Sequence, residues 1–330
     1  MTLKIAILDV GHGDCAVVYN SDRSSVMVID CANGPVLLDY LNSEGLNHVD
    51  IALVTHNDRD HVGGMTQLLR NHSVGLLAIH PNIKDTQGFP KRVMTDLTDE
   101  VELRGTPFAH ITTKDATLVH CLNSLSYQAE LIYPNQLQAT QASRSNTTSA
   151  VLRVEWLKKS ALFGGDLDSE GWERLDQHGS LISKIQSDVF RFPHHGGTLV
   201  PSKERCTSKA FTLSVLEKVS PEITLISTAQ RDGWEHPDFS VLDGLREYSK
   251  ISAHRFLCTQ VTSACDPVFC SKRNTVLSML PDSHKSACSK LGCPCSGNIK
   301  MQFDANGNII IESENIYQQI TQIYANPQCH

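Results

Sequence analysis

Residues 55–64 read THNDRDHVGG and bring His56, Asp58, Asp60 and His61 into one short run. Imidazole nitrogens and carboxylate oxygens are the ligands that Zn²⁺, Mn²⁺ and Fe take. Without a metal the run would crowd charge for no return. An ordinary polar surface loop needs neither this density nor the Gly63–Gly64 turn behind it. Groups of the same kind close other apolar runs: Asp166 after ALFGG, His194 and His195 after DVFRFP, and His236 in WEHP. Singly, each fits a cap or a hydrogen-bonding residue. Together they set His and Asp groups at the ends of successive strands, as a dinuclear site requires. Two ions about 3.5–4 Å apart share a hydroxide, bring its pKa near neutral and aim it at phosphorus or a carbonyl. Asp60 or Asp58 is the candidate to take up a proton, although a ligating carboxylate is a poor free base. The HHGG loop at 194–197 offers donors better suited to phosphate oxygens than to a lactam carbonyl.

These side chains need rigid elements beneath them. KIAILDV, CAVVY and VMVID, within residues 3–30, are short, β-branched and closed by Gly, Asp or Asn, which predicts three strands. Residues 34–45 have helical apolar spacing and end at Gly45. A buried strand at 51–54 precedes the His/Asp run, and a helix at about 62–72 follows it. Further strands are predicted at 76–79, 130–133, 148–157, 160–164, 187–192 and 222–228. Helices are predicted near 93–103, 168–177, 207–219 and 239–249, with a polar loop at 135–147. Interleaved strands and helices mean an α/β or α+β chain.

The chain has 330 residues, of which 40% are hydrophobic and 20% charged, so collagen, coiled coil and intrinsic disorder are excluded. A net charge of −7 argues against holding nucleic acid by bulk electrostatics, so such a partner would have to be held locally, for instance through bound cations. No apolar stretch approaches the roughly 18 residues of a membrane span, and the start of the chain does not read as a signal peptide. A soluble, cytoplasmic protein without a membrane partner is expected.

The ordered motifs HxDxDH-GG, GD, PHHGG and HP resemble the metallo-β-lactamase superfamily, and within it the hydrolase domain of ComEC-type competence proteins and their stand-alone soluble relatives. DVGHGD at 9–14 is similar to the DVGQGD opening of that group, VIDCANG ending at Gly34 to its Asp-x-Gly strand end, and NTTSAVLRV at 146–154 to its Asn-x-x-Ser-x-Val strand. The resemblance spans residues 3–250 and implies a four-layered αββα sandwich with two divalent ions, Zn or Mn. It assigns His56 and Asp58 to the first ion, Asp60, His61 and His236 to the second, and Asp166 to both. Asp14, Asp30 and Asn146 would orient ligands, and His194 or His195 would face the substrate. Asp58 and Asn146 stand where the superfamily has His, which implies an oxygen-richer first site that suits Mn²⁺. The activity implied is a phosphodiesterase or nuclease acting on a phosphodiester, DNA or RNA. Two alternatives are a small-molecule hydrolase for a cyclic phosphodiester, thioester or lactone, and a non-catalytic component of a multi-protein assembly.

After residue 257 the composition changes. We therefore expect a hydrolase domain over 1–257 and a Cys-rich module over 258–330, containing a β-hairpin in IKMQFDANGNIIIES and offering a docking surface for a protein partner. Cys258, Cys265, Cys288, Cys293 and Cys295 are the candidate ligands of a structural zinc. Buried free thiols and disulfides are the competing readings. Purified protein should then carry one Zn²⁺ that resists mild chelation. Replacing Cys258 and Cys288 together by Ser should release it and make the chain after residue 257 protease-sensitive. A double variant as protected as the wild type would sink the structural zinc.

Overall fold

A computed structural model describes residues 1–81, 91–141, 144–177, 179–230, 236–266, 268–286 and 292–324. Its strands form two sheets. The first contains β1 (Leu3–Ile7), β2 (Ala16–Asn20), β3 (Val26–Ile29), β4 (His48–Leu53), β5 (Ser73–Ile79), β6 (Phe108–His110), β13 (Ile299–Phe303) and β14 (Ile309–Ile311), in the order β14-β13-β1-β2-β3-β4-β5-β6. The second contains β7 (Gln128–Tyr133), β8 (Val151–Trp156), β9 (Lys159–Phe163), β10 (Val189–Arg191), β11 (Ile223–Ile226) and β12 (Arg255–Cys258), in the order β12-β11-β10-β9-β8-β7.

Period-two alternation explains the layering. In β1, Leu3, Ile5 and Ile7 face the core between the sheets, whereas Ala6 faces the other way, in a second cluster with Val36, Leu37 and Leu41 of the helix Gly34–Glu44. The second sheet does the same. Leu152 and Val154 join the central core, and Val151 and Phe190 pack with Val215 and Leu216 of the helix Ser208–Val219 and Leu242 and Leu245 of the helix Phe239–Ile251. Helix, sheet, sheet and helix thus stack in four layers, as the resemblance to the metallo-β-lactamase superfamily implied. The helix Gly34–Glu44 starts where the Asn33 side chain accepts a hydrogen bond from Val36 N, and stops at Gly45 with φ of 66°.

The parallel strands decide where function can sit. β3, β4, β5 and β6 run parallel in one sheet, and β9, β10, β11 and β12 in the other. Loops leaving the C-terminal ends of such strands gather at one edge of the sandwich, the usual place for a site in an open sheet.

The hairpin expected in IKMQFDANGNIIIES is present, but it is built into the sandwich. β13 pairs antiparallel with β1, and Ile299, Met301 and Phe303 share the central core with Leu3 and Ile5. The expected boundary at 257/258 falls inside β12, so the last part of the chain completes the first sheet. Residues from this part also brace the loop after β1. Asp9 N donates to Asn298 Oδ1 at 2.8 Å, Gln260 Nε2 donates to Asp9 Oδ1 at 2.7 Å, and Ser286 Oγ donates to Asp9 O at 2.6 Å. The helix 116–124 and the strand 108–110 were not anticipated, and the short helix Gln136–Gln141 occupies part of the expected loop.

Phe303 is fully buried, so Phe303→Ala should cost about 3–5 kcal/mol and lower the denaturant midpoint of the whole chain in one transition. A separate early transition would show that β13 and β14 are an appendage.

Candidate metal centre

The side chains singled out in the sequence converge on the edge where the two sheets' C-terminal strand ends meet. Asp30 follows β3 in the left-handed region, with φ of 59°, and is fully buried. Its carboxylate accepts from Thr55 N and Thr55 Oγ1, both at 2.7 Å, and lies 2.8 Å from His61 Nδ1. It therefore holds the loop after β4 and fixes His61 with Nδ1 protonated and Nε2 turned inward. That Nε2 lies 3.2 Å from Asp166 Oδ1. His56 is treated alike: Nδ1 is 3.2 Å from Thr55 Oγ1 and 3.3 Å from Ser149 Oγ, leaving Nε2 3.6 Å from Asp58 Oδ2 and 3.8 Å from Asp166 Oδ2. Ser145 Oγ donates to Asp58 Oδ2 at 3.1 Å and approaches Asn146 Oδ1 at 3.3 Å, so Asn146 touches the ligand set through Ser145.

Asp166 follows Gly165, whose φ is 51° and whose added Cβ would lie 2.3 Å from Ser149 Oγ; a side chain there would displace the Asp166 turn. His194 and His195 follow β10, and both have φ of 54°. Two adjacent non-glycine residues in this region store strain of about 1–3 kcal/mol each, a feature that clusters at functional sites.

Two of the expected histidines stand at different distances from the carboxylates. His195, which with His194 was one of two candidates to face substrate, puts its Nε2 3.6 Å from Asp60 Oδ2 and 3.7 Å from Asp166 Oδ2. Its Nδ1 is 3.2 Å from Ser227 O and 3.3 Å from Arg191 Nη2, which hold the ring in place. His236, expected on the second ion, stands at the rim. Its ring is 5.3 Å from that of His194 and 5.9 Å from that of His12, and it is in none of the close ligand groups among the described residues. The reason is topological. His195 ends the strand next to the one that carries Asp166, whereas His236 lies ten residues beyond the end of β11.

Sequence reasoning missed two residues. Arg191 is a lone charge within the apolar run VFRF, which was the available signal. It is almost fully buried. Its Nη2 lies 2.6 Å from Asp14 Oδ2, and its Nη1 donates to Gly165 O at 3.1 Å and Phe192 O at 2.5 Å. One guanidinium thus ties together the loops after β1, β9 and β10. Burial pushes Asp14 up to about 6, with Arg191 opposing the shift. The other residue is His12, whose Nε2 lies 3.4 Å from Asp60 Oδ2.

The donor set fits divalent cations. His56, His61 and Asp166 form one group whose ligand atoms all lie within 4.8 Å of one another; His12, Asp60 and His195 form another. His56 Nε2, His61 Nε2 and His195 Nε2 are buried and make no hydrogen bond. Separations of 3.2–3.8 Å between ligand atoms are mostly too long for hydrogen bonds but match the edges of a polyhedron with bonds of about 2.0–2.2 Å. Electrostatics point the same way. Burial would raise Asp166, yet His61 and His195 hold it well below the usual carboxylate range. Burial would lower His61, yet Asp166 and Asp30 push it well up. Burial pushes His195 down to about 4, so at neutral pH it keeps a lone pair to offer.

Of the candidate zinc thiols, Cys258, Cys293 and Cys295 are buried and Cys265 is partly buried, while Cys288 lies outside the described residues. No close ligand group among the described residues includes a cysteine.

A four-layered sandwich with a His/Asp cluster on the C-terminal loops of parallel strands is a metallo-β-lactamase fold. Residues 8–126 match the family described as Metallo-beta-lactamase superfamily. The chain is similar to ComE operon protein 3 of Bacillus subtilis (strain 168), at 23% identity over 74% of this chain and 31% of the relative. It is also similar to Recombination protein 2 of Haemophilus influenzae, at 22% identity over 79% of this chain and 28% of the relative. The chain therefore spans less than a third of the length of these two relatives. A hydroxyacylglutathione hydrolase of Shewanella halifaxensis is 32% identical over 28% of this chain and 36% of its own. Among the described residues, no helix is long and apolar enough to cross a membrane.

Arg191→Met should cost about 3–5 kcal/mol, because it leaves Asp14 buried without its counter-charge. The urea midpoint should fall, and adding Asp14→Asn should recover part of the loss. A cost below about 1 kcal/mol would mean that this pair does not hold the three loops.

Proposed function

We propose that the chain is a metal-dependent phosphodiesterase whose substrate is nucleic acid, DNA or RNA. The observation that carries this reading is the imidazole rim: His194 and His236 stand beside the carboxylate-lined centre, with ring centroids 5.3 Å apart. Imidazoles at such a mouth donate to phosphoryl oxygens and suit a substrate that carries negative charge on both sides of the scissile bond. The similarity to Recombination protein 2 of Haemophilus influenzae points the same way.

His56, Asp58, Asp60, His61, Asp166 and His195 would hold two divalent cations, Zn²⁺ or Mn²⁺. When bound, these would supply an activated water and neutralise charge on the phosphate. Asp30 orients His61, Ser227 orients His195, and Ser145 orients Asp58. His194 is placed to give a proton to the leaving oxygen. Its backbone N donates to Asp166 Oδ1 at 3.2 Å, which ties the rim to the centre. With a net charge of −7, polyanion binding would be confined to this mouth.

A second reading, hydrolysis of a thioester, is favoured by the match to a hydroxyacylglutathione hydrolase over about a quarter of the chain. One panel separates the two: single-stranded DNA, RNA, bis-p-nitrophenyl phosphate and a hydroxyacylglutathione thioester, each with Mn²⁺ and with Zn²⁺. We expect the phosphodiesters to be cut, Asp166→Ala to retain less than about a tenth of the activity, and His194→Ala to lose about 100-fold in turnover with its metal content intact. Turnover of the thioester alone would overturn the phosphodiesterase reading.

A further inference from the structure

His12 lies in the loop between β1 and β2, and that loop is fixed at both ends. At its start, the buried Asp9 carboxylate accepts from Gln260 Nε2 at 2.7 Å and from Gly11 N at 3.3 Å. At its end, Asp14 N donates to Asp60 O at 2.9 Å, and Asp14 is paired with Arg191. Between them Gly13 has φ of +135°. A Cβ on it would come within 2.4 Å of Ala32 Cβ and 2.6 Å of Asp60 O, so the loop is pressed against the turn that carries Asp60.

This anchoring delivers His12 Nε2 to 3.4 Å from Asp60 Oδ2, while His195 Nε2 stands 3.6 Å from the same oxygen. The three ligand atoms lie within 4.8 Å of one another. Bonds of about 2.0–2.2 Å to a common tetrahedral ion give ligand–ligand edges of about 3.3–3.6 Å. Only 12% of the His12 side chain is exposed, so the imidazole is already largely desolvated.

We propose that His12 is a ligand of the divalent cation held by Asp60 and His195. The added imidazole replaces a water or carboxylate position with a nitrogen, and so shifts this site from manganese towards zinc. The inference rests on the metal-hydrolase reading but not on the identity of the substrate.

The test is a titration of the full chain, stripped with chelator, with Zn²⁺ and separately with Mn²⁺, followed by calorimetry and elemental analysis. Co²⁺ loading gives a second readout through the visible absorption of the bound ion. The wild type should bind two Zn²⁺. In His12→Gln and in His12→Ala, one Zn²⁺ site should weaken by at least about tenfold, Mn²⁺ binding should change far less, and the Co²⁺ spectrum should change. Thermal melting of the stripped variants should match that of the wild type.

Two zinc affinities unchanged within about twofold in His12→Gln would overturn the proposal. So would loss of both ions together with a lowered melting temperature, which would make His12 a support of the fold, and so would a wild type that binds one ion. The two readings fail separately. Two bound ions without phosphodiester hydrolysis would remove the proposed substrate and leave His12 in place, whereas hydrolysis with unchanged zinc affinity in His12→Gln would remove His12 alone.

Discussion

The structure turns on one electrostatic constraint: five carboxylates, Asp14, Asp30, Asp58, Asp60 and Asp166, stand together at one edge of a sandwich whose interior is apolar. Left to themselves they would repel, or take up protons to avoid doing so. Each instead has an assigned partner. Asp30 is surrounded by hydrogen-bond donors, Asp14 by a guanidinium, and Asp58, Asp60 and Asp166 by imidazoles whose outer nitrogens are already committed. The committed outer nitrogens matter most. Because Thr55, Ser149, Asp30 and Ser227 hold the Nδ1 side of His56, His61 and His195, the Nε2 lone pairs have one direction left to point.

Much of this was legible in the sequence, and the reason is local. HxDxDH places its groups on one loop, and strand ends such as ALFGGD advertise the next ones by switching from apolar to polar. Interleaved strands and helices indicated an α/β or α+β chain, and the four layers were what the resemblance to the metallo-β-lactamase superfamily implied. Sequence could not rank two histidines that are both near the edge. Whether His195 or His236 joins the carboxylates depends on which strands are neighbours, and β10 beside β9 is a fact of pairing rather than of spacing. Arg191 was missed for a related reason. Its partner Asp14 is far away in the chain, and a single charge in a strand says nothing about where its counter-charge will be.

The C-terminal part of the chain shows how composition can mislead. Clustered Cys, Pro, Gly and Ser suggested a separate body needing its own source of stability. The backbone finds that support in the sandwich instead. The segment around Pro294 bridges to Gln260, β13 lies against β1, and Asn298, Gln260 and Ser286 grip Asp9. A segment with little core of its own thus helps to set the loop that carries His12 and Asp14.

The pairing of β13 with β1 also bears on how the chain can fold as it is made. Asp9 and Asn298 are 289 residues apart, so β1 leaves the ribosome long before the strand that covers its open edge has been translated. Through that interval β1 exposes unpaired backbone groups and an apolar face, the kind of edge that recruits other chains. The site cannot reach its final form until residues 260–298 have been made, because Asp9 awaits Gln260, Ser286 and Asn298.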